Sequence, residues 1–160
     1  MRKIVVDDLS GPRIAALLRE HVDEMRSASP PESVHALDLD GLRRPEVTVW
    51  SVYDGDELVG CGALKELGPT SGEVKSMRTA PAAQRRGVAS AVLTHLTEEA
   101  RRRGYARLYL ETGSMDFFAP ARALYTRFGF RLCEPFGDYL PDPNSVHMEL
   151  ALSPRSRPVP

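Results

Sequence analysis

The segment of this chain with the clearest chemical potential is a short loop with the sequence Gln84-Arg85-Arg86-Gly87-Val88-Ala89. It lies between a predicted strand and a predicted helix. The start of a helix leaves backbone N–H groups unpaired and carries the positive end of the helix dipole, and both attract phosphate. Gly87 permits close approach of the backbone, and the two arginines add charge. Taken alone, the pattern also describes an ordinary loop with two solvated arginines, since single-glycine phosphate motifs have many false positives.

The elements that must position this loop follow from the hydrophobic pattern. Apolar residues at helical spacing and β-branched runs between turn signals predict alternating helices and strands. We predict a strand at 3–6, a helix through 14–25 with Ser10 as its N-cap, a shorter helix from the capping box at Ser29 through Ala36, strands at 46–53, 57–67 and 73–79, a helix from Val88 that ends at Gly104, a strand at 106–111, a helix at 119–128, and strands at 130–133 and 146–150.

This order of elements predicts one domain with a mixed, mostly antiparallel sheet and helices on both of its faces. The unit from Glu73 to Glu111 should form a right-handed strand–helix–strand crossover. No internal repeat or linker divides the chain, so we assign residues 1–152 to a single domain. Residues 153–160 lack a core-forming pattern, and we expect them to form a flexible tail.

A second motif accompanies the loop. Gln84-x-x-Gly87-x-Ala89 is followed by Ala121-x-x-Leu124-Tyr125-x-x-x-Gly129-Phe130, and the two motifs, their separation and the element order together resemble the GNAT superfamily of acyl-CoA-dependent N-acetyltransferases. The segments 75–78, 110–114 and 141–145 resemble a bacterial branch of that superfamily labelled YsnE-like. The resemblance implies an α/β (α+β) fold with about seven strands and a V-shaped splay between its two central parallel strands.

The resemblance also implies how acetyl-CoA, as co-substrate, would be held. The backbone amides of Arg85 to Ala89 would bind the pyrophosphate, and the strand around 76–79 would pair with the pantetheine arm. The Met77 amide would donate to the thioester oxygen, and Tyr125 would protonate the departing thiolate. Many members place an asparagine where this chain has Phe118. The implied cofactor residues are Ser76, Met77, Arg78, Thr79, Gln84, Arg85, Arg86, Gly87, Val88, Ala89, Phe118 and Tyr125.

The general base and the acceptor site are open at this level. Glu111 and Glu73, at the ends of neighbouring strands, are the candidate bases, and either could act directly or through water. The alternative to a catalytic base is, for each residue, an exposed carboxylate at a strand end. For Glu73 the two interpretations have equal support. The candidate acceptor-binding residues are His35, Asp38, Lys75, Glu111 and Tyr139. Their mixture of acids and bases suggests a zwitterionic acceptor such as an amino acid.

The remaining histidines and the cysteines have ordinary structural interpretations. His21 and His95 are expected at the surface of their helices, and His147 half-buried in the last strand. Cys61 and Cys133 are expected to be small buried hydrophobes. We predict no metal site, because the pair His35 and Asp38 lacks a third ligand at suitable spacing.

Bulk composition excludes several classes of function. A formal net charge of −1 argues against nucleic-acid binding, which needs a concentrated basic face. The few apolar residues at the N-terminus are too short for a signal peptide, and no segment approaches a membrane span, so we predict a cytoplasmic protein that binds no membrane. We predict an N-acetyltransferase acting on a small-molecule primary amine, with direct attack in a ternary complex. The alternatives are a non-catalytic acyl-CoA-binding module and a protein-lysine acetyltransferase. A homodimer is left open.

Overall fold

The structure is a computed structural model, and it describes residues 2–152. Its core is one seven-stranded sheet with four helices. The strands are β1 (Arg2–Val6), β2 (Val47–Asp54), β3 (Glu57–Gly68), β4 (Ser71–Thr79), β5 (Arg107–Gly113), β6 (Arg131–Leu132) and β7 (Ser145–Ala151), and the helices are α1 (Pro12–Ala28), α2 (Leu39–Leu42), α3 (Val88–Arg102) and α4 (Ala119–Arg127).

The strand order β1-β2-β3-β4-β5-β7-β6 confirms the predicted fold class. Every neighbouring pair is antiparallel except β4 and β5, which are parallel. The parallel pairing covers only Ser71–Glu73 against Arg107–Tyr109, although both strands continue beyond it. The two central strands therefore separate after Glu73 and Tyr109, and this separation is the predicted V-shaped splay.

A β-bulge in β4 interrupts its pairing with β3 next to the splay. Ala63 pairs with Lys75 and Cys61 with Arg78, so two residues of β4 face a single residue of β3. Ser76, inside this bulge, adopts φ 53°, which L-residues with a side chain seldom adopt. Such bulges redirect side chains next to functional sites, and this one lies where the two central strands part.

Helix α3 packs closely on β3 because two glycines remove the side chains that would hold it away. A Cβ atom built on Gly60 would lie 2.6 Å from Val88, and one on Gly62 would lie 2.5 Å from Val92. Val88 and Val92 are almost completely buried in the larger apolar core beneath α3. This contact fixes the start of α3, and with it the predicted phosphate loop.

Helix α1 covers the opposite face of the sheet over a second, smaller core. Ile14, Leu17 and Leu18 pack there with Cys61 and Ala63 of β3. The N-cap of α1 is Gly11 rather than the predicted Ser10, whose hydroxyl donates to Asp8 at 2.6 Å. None of the helices in the described part of the chain combines the length and the apolar character needed to span a membrane.

The predicted helix from Ser29 through Ala36 is wrong. Only a single 3₁₀ turn forms there, at Pro31–Ser33, and the chain then extends to α2. Tertiary contacts outweigh the capping-box pattern: Ser33 is buried and its hydroxyl donates to Asp142 at 2.5 Å, while the backbone oxygen of His35 accepts from Lys75 at 3.1 Å. The predicted tail, residues 153–160, lies outside the described residues.

Candidate active site

The predicted phosphate loop has the geometry of a helix start built for close approach. Gly87 is the N-cap of α3 with φ 77°, and Arg85 also has a positive φ of 65°. The Arg2 guanidinium donates to the backbone oxygens of Arg86 and Gly87. These bonds hold the loop against β1, so the orientation of its backbone is set by the sheet edge.

Side chains of the loop divide into exposed and buried groups. Gln84, Arg85 and Arg86 are exposed, and Arg86 forms an ion pair with Asp54 at 3.1 Å. Val88 is buried under β3 and Ala89 packs at the edge of the same core. The loop thus presents its backbone N–H groups and the Arg85 side chain to solvent, which suits a phosphate ligand.

A partly open cavity of about 140 Å³ lies where β4 and β5 separate. Helix α1 and the segment 29–36 contribute to its wall together with β4, β5 and the region from Phe118 to Tyr125. The lining includes Ser76 and Met77 of β4, Glu111 and Gly113 of β5, and Phe118 and Tyr125 at the start and within α4. Met77 in the bulged strand and Tyr125 in the second sequence motif therefore line the same cavity. The predicted roles of the two residues require them to be close together.

Phe118 closes one side of this cavity by packing directly on the backbone of β5. A Cβ atom built on Gly113 would lie 2.1 Å from the Phe118 ring. Phe118 is buried, with its ring edge-on to Phe117 at 4.9 Å between centroids. An apolar ring thus stands where the resemblance implied a polar contact, and Gly113 is the residue that makes room for it.

Glu111 and Tyr125 have proton affinities suited to acid–base work. Burial raises the pKa of Glu111 to about 7, with further contributions from the carboxylates of Glu73 and Asp142 opposed by Lys75. Burial, followed by the charge of Glu111, raises the pKa of Tyr125 to about 12. Near neutral pH, a Glu111 carboxylate can accept a proton, as a general base does. Tyr125 stays protonated there and can donate its proton, as a general acid does.

Glu73 is placed differently from Glu111, inside a buried hydrogen-bonded cluster. Its carboxylate accepts from the Tyr139 hydroxyl at 2.6 Å and lies 3.4 Å from the Lys75 ammonium. Lys75 also donates to the Tyr139 oxygen at 2.9 Å and to the His35 backbone oxygen at 3.1 Å. Two of the three ammonium donors are therefore used in hydrogen bonds, and the charge itself is paired with the Glu73 carboxylate.

This cluster separates the cavity from an open groove of about 1200 Å³. His35 and Lys75 line both spaces, and Tyr139 lines the groove. The His35 ring meets the Tyr139 ring edge-on, 4.9 Å between centroids. Of the predicted acceptor residues, His35, Lys75, Glu111 and Tyr139 are therefore brought together at this boundary.

Asp38 does not join them. Its side chain accepts from the Gly41 backbone N–H at 2.9 Å and caps α2, it is exposed, and it lines neither the cavity nor the groove. The sequence placed it near substrate because it follows His35 closely, but the extended chain between them points it to the helix start. We no longer assign it to the acceptor site.

Arg78 and Thr79 continue β4 beyond the bulge. The Arg78 side chain is buried against α1, where it forms ion pairs with Glu24 at 2.5 Å and Glu20 at 3.9 Å. Thr79 ends the strand opposite Gly60. The Arg78 guanidinium is therefore paired with α1, and Arg78 is not among the residues that line the cavity.

Sequence reasoning missed His21. It is buried on α1 and lines the cavity, and its Nδ1 has no hydrogen-bond partner. Burial, then the positive charge of Arg78, lowers the pKa of His21 to about 4, so the ring is neutral near pH 7. The signal was present, because His21 follows Leu17 and Leu18 by four and three residues and so falls on the apolar stripe of α1.

His147 is also more buried than predicted. It sits opposite Glu111 in the β5–β7 pairing, and its ring contacts Phe136 and Tyr139 at 5.6 and 5.2 Å between centroids. His95 is half-buried against Trp50, at 5.3 Å between ring centroids. No cluster of three or more His, Cys, Asp and Glu side chains suited to a metal ion occurs among residues 2–152.

Comparison with known proteins agrees with this geometry. Residues 14–130 match the model of the Acetyltransferase (GNAT) family. The chain is 59% identical over 145 residues to the uncharacterized N-acetyltransferase YsnE of Bacillus subtilis, covering 91% of this chain and 96% of that one. It is 39% identical over 124 residues to the IAA acetyltransferase of Azospirillum brasilense, covering 77% and 80%.

Solved structures share the whole architecture. A structure described as an acyl-CoA N-acyltransferase from Klebsiella pneumoniae matches with a TM-score of 0.80 at 30% identity, covering 96% of this chain and 99% of that chain. A GNAT family acetyltransferase from Elizabethkingia anophelis with acetyl-CoA bound matches in fold, with a TM-score of 0.67 at 16% identity and coverage of 94% and 98%. The fold and the site define an acyltransferase. The chain belongs to the GNAT family of N-acetyltransferases.

Proposed function

We propose that this enzyme transfers the acetyl group of acetyl-CoA to the primary amine of a small molecule, by direct attack in a ternary complex. The observation that carries the proposal is the cavity at the splay, which brings Glu111 and Tyr125 to the bulged strand that holds Met77. One structure that shares this fold binds acetyl-CoA, which supports the choice of cofactor.

The steps follow from the positions of these groups. The pyrophosphate binds at the start of α3, and the pantetheine arm enters between β4 and β5. Glu111, as a carboxylate, accepts a proton from the bound ammonium group. The free amine attacks the thioester carbon, whose oxygen becomes negative and is stabilised by the Met77 N–H. As the carbon–sulfur bond breaks, Tyr125 gives its proton to the leaving sulfur, and the second proton that the nitrogen loses as the amide forms restores the Tyr125 hydroxyl.

Direct attack is favoured over an acetyl-enzyme because the cysteines are poorly suited to form one. Cys61 is completely buried, and burial raises its thiol pKa to about 12, so the nucleophilic thiolate is scarce. Cys133 lies outside the cavity, beside β6, and burial raises its pKa as well. The reaction then needs positioning and proton transfer only, which the cavity supplies.

A small acceptor is favoured by the size of the cavity. A cavity of about 150 Å³ can hold a molecule the size of benzene, and the 140 Å³ here must also admit the acetyl thioester. The amine end of the acceptor must therefore be slender, with any remainder extending towards the groove beyond Lys75.

The first experiment is calorimetric titration with acetyl-CoA, using ATP as the control ligand. Saturable binding of acetyl-CoA and none of ATP is expected. Amines are then screened for release of CoA, and IAA is included because one relative is named an IAA acetyltransferase. Initial-rate lines that intersect would support a ternary complex, whereas parallel lines would indicate an acetyl-enzyme.

Tyr125→Phe tests the acid role. Because the hydroxyl acts only when sulfur leaves, kcat should fall by at least about tenfold while the Kd of acetyl-CoA changes little. Tyr105→Phe is the matched control, because its hydroxyl contacts Glu66 at 3.3 Å and it does not line the cavity. Equal losses of turnover and acetyl-CoA affinity in Tyr125→Phe would contradict the acid role.

A further inference from the structure

Two buried polar side chains in the cavity have atoms without any hydrogen-bond partner. They are His21 Nδ1 on α1 and Ser76 Oγ in the bulge of β4, and each residue is only 9% exposed. Both line the cavity together with Glu111. An unsatisfied buried polar group costs folding free energy, so such groups persist where a ligand or water completes them.

The backbone at Ser76 is also held in an unfavourable conformation. Its φ of 53° places a serine in the left-handed region, and the bulge that contains it turns the strand at the cavity. Strain of this kind persists where the surrounding structure enforces it, commonly at ligand sites. The fold thus holds the Ser76 hydroxyl in the cavity wall against its local preference.

We propose that His21 and Ser76 form a hydrogen-bonding subsite for an uncharged polar group of the acceptor, a hydroxyl or a primary amide, carried on the same molecule as the reacting amine. This inference rests on the proposed function, since it assigns the substrate class of that same cavity. A hydroxyl or an amide can both donate and accept, as can the serine hydroxyl, and it needs no charged partner.

The charges around the cavity disfavour a carboxylate in this position. His21 is neutral because its pKa is lowered to about 4. Lys75, the cation that lines the cavity, is paired with the Glu73 carboxylate and donates to the Tyr139 hydroxyl and the His35 backbone oxygen. Arg78 is paired with α1. A carboxylate would therefore be desolvated without a free cation to receive it, and the zwitterionic acceptor suggested by the sequence has no partner here.

Matched pairs of small amines test the subsite. Amino alcohols of two to five carbons are compared with the alkylamines in which a methyl group replaces the hydroxyl, and amino amides with the corresponding amino acids. We expect kcat/KM to be at least about tenfold higher for the hydroxyl and the amide members, because the apolar or charged analogue leaves buried polar groups unpaired.

Variants then locate the preference. In His21→Leu, Ser76→Ala and their combination, the ratio of kcat/KM between the paired amines should fall towards one, and in His21→Leu the Kd of acetyl-CoA should be unchanged. The ratio is independent of how much protein folds, so a destabilised variant still gives an answer. His95→Leu is the control, because His95 Nε2 is likewise buried without a partner but His95 does not line the cavity.

Each other outcome counts against the subsite. The subsite would be overturned by equal kcat/KM within the pairs or by a preference for amino acids. It would also be overturned if the kcat/KM ratios survive both substitutions, which would mean that water alone fills the site. Loss of acetyl-CoA affinity in His21→Leu would reassign this side chain to the cofactor. Absence of CoA release with every amine would instead overturn the proposed function.

Discussion

Replacing Lys75 by methionine should destabilise the protein strongly, because it leaves the Glu73 carboxylate buried without its cation. The two side chains are 9% and 3% exposed and lie 3.4 Å apart. Removal of one member of a buried ion pair typically costs about 3–5 kcal/mol, mostly because the remaining charge is uncompensated. The Tyr139 hydroxyl still donates to Glu73, so we expect the lower half of that range.

The same reasoning gives the expected behaviour of a double variant. Glu73→Gln removes the charge but keeps an oxygen that can accept from Tyr139, so Lys75→Met combined with Glu73→Gln should lose less than about 2 kcal/mol. The coupling between the two substitutions should be about 1–3 kcal/mol, within the range found for residues in contact.

Urea unfolding of the two single variants and the double variant measures these values, and thermal unfolding provides a check. For a chain of this size about 2–4 °C of Tm corresponds to each kcal/mol, so Lys75→Met should melt roughly 6–16 °C lower. Lys65→Met is the control, since that lysine lies in β3 at the groove, outside the buried cluster. Additive losses in the double variant would refute the view that charge compensation holds Glu73 and Lys75 together.

Three further outcomes follow from the structure. Because Glu111 is the proposed base and burial raises its pKa to about 7, turnover should fall about tenfold per pH unit below that value, and Glu111→Gln should abolish this limb of the pH–rate profile; a persisting limb would assign the base elsewhere. Gly62→Ala should cost about 1–3 kcal/mol in urea unfolding, because its Cβ would lie 2.5 Å from Val92, whereas Gly68→Ala, with its nearest neighbour at 3.9 Å, should cost little. Asp38→Ala should cost about 1 kcal/mol through loss of the α2 cap and leave the KM of the acceptor unchanged; a raised KM would return Asp38 to the acceptor site.

The order of most elements and the position of the loop before α3 could be predicted from the sequence because both depend on local signals. Strand alternation, the hairpin at Asp54-Gly55 and the glycine at the start of α3 are each read within a few residues. The splay between the central strands came from the family resemblance, since no short-range pattern states where two parallel strands stop pairing.

The walls of the candidate site could not be predicted, because they depend on contacts between distant segments. The helix expected at Ser29 is replaced by a turn because Ser33 binds Asp142, more than a hundred residues away. Lys75 is a candidate acceptor-binding residue from the sequence, but its contacts with Tyr139 and the His35 backbone come from segments that lie 40 or more residues away. His21 was placed at the surface, although its position on the apolar stripe of α1 indicated burial.

The short parallel pairing of β4 and β5 has a mechanical consequence. Three pairs of residues, Ser71–Glu73 with Arg107–Tyr109, join an antiparallel sheet of four strands to one of three. Within the sheet the two groups of strands are therefore joined only by this short ladder, and one apolar core packs across both of them. The proposed pantetheine arm would lengthen the ladder by bridging the open edges. Opening of the protein should begin at this line, so amide hydrogen exchange of β4 beyond residue 73 should slow more than that of β2 when acetyl-CoA is bound.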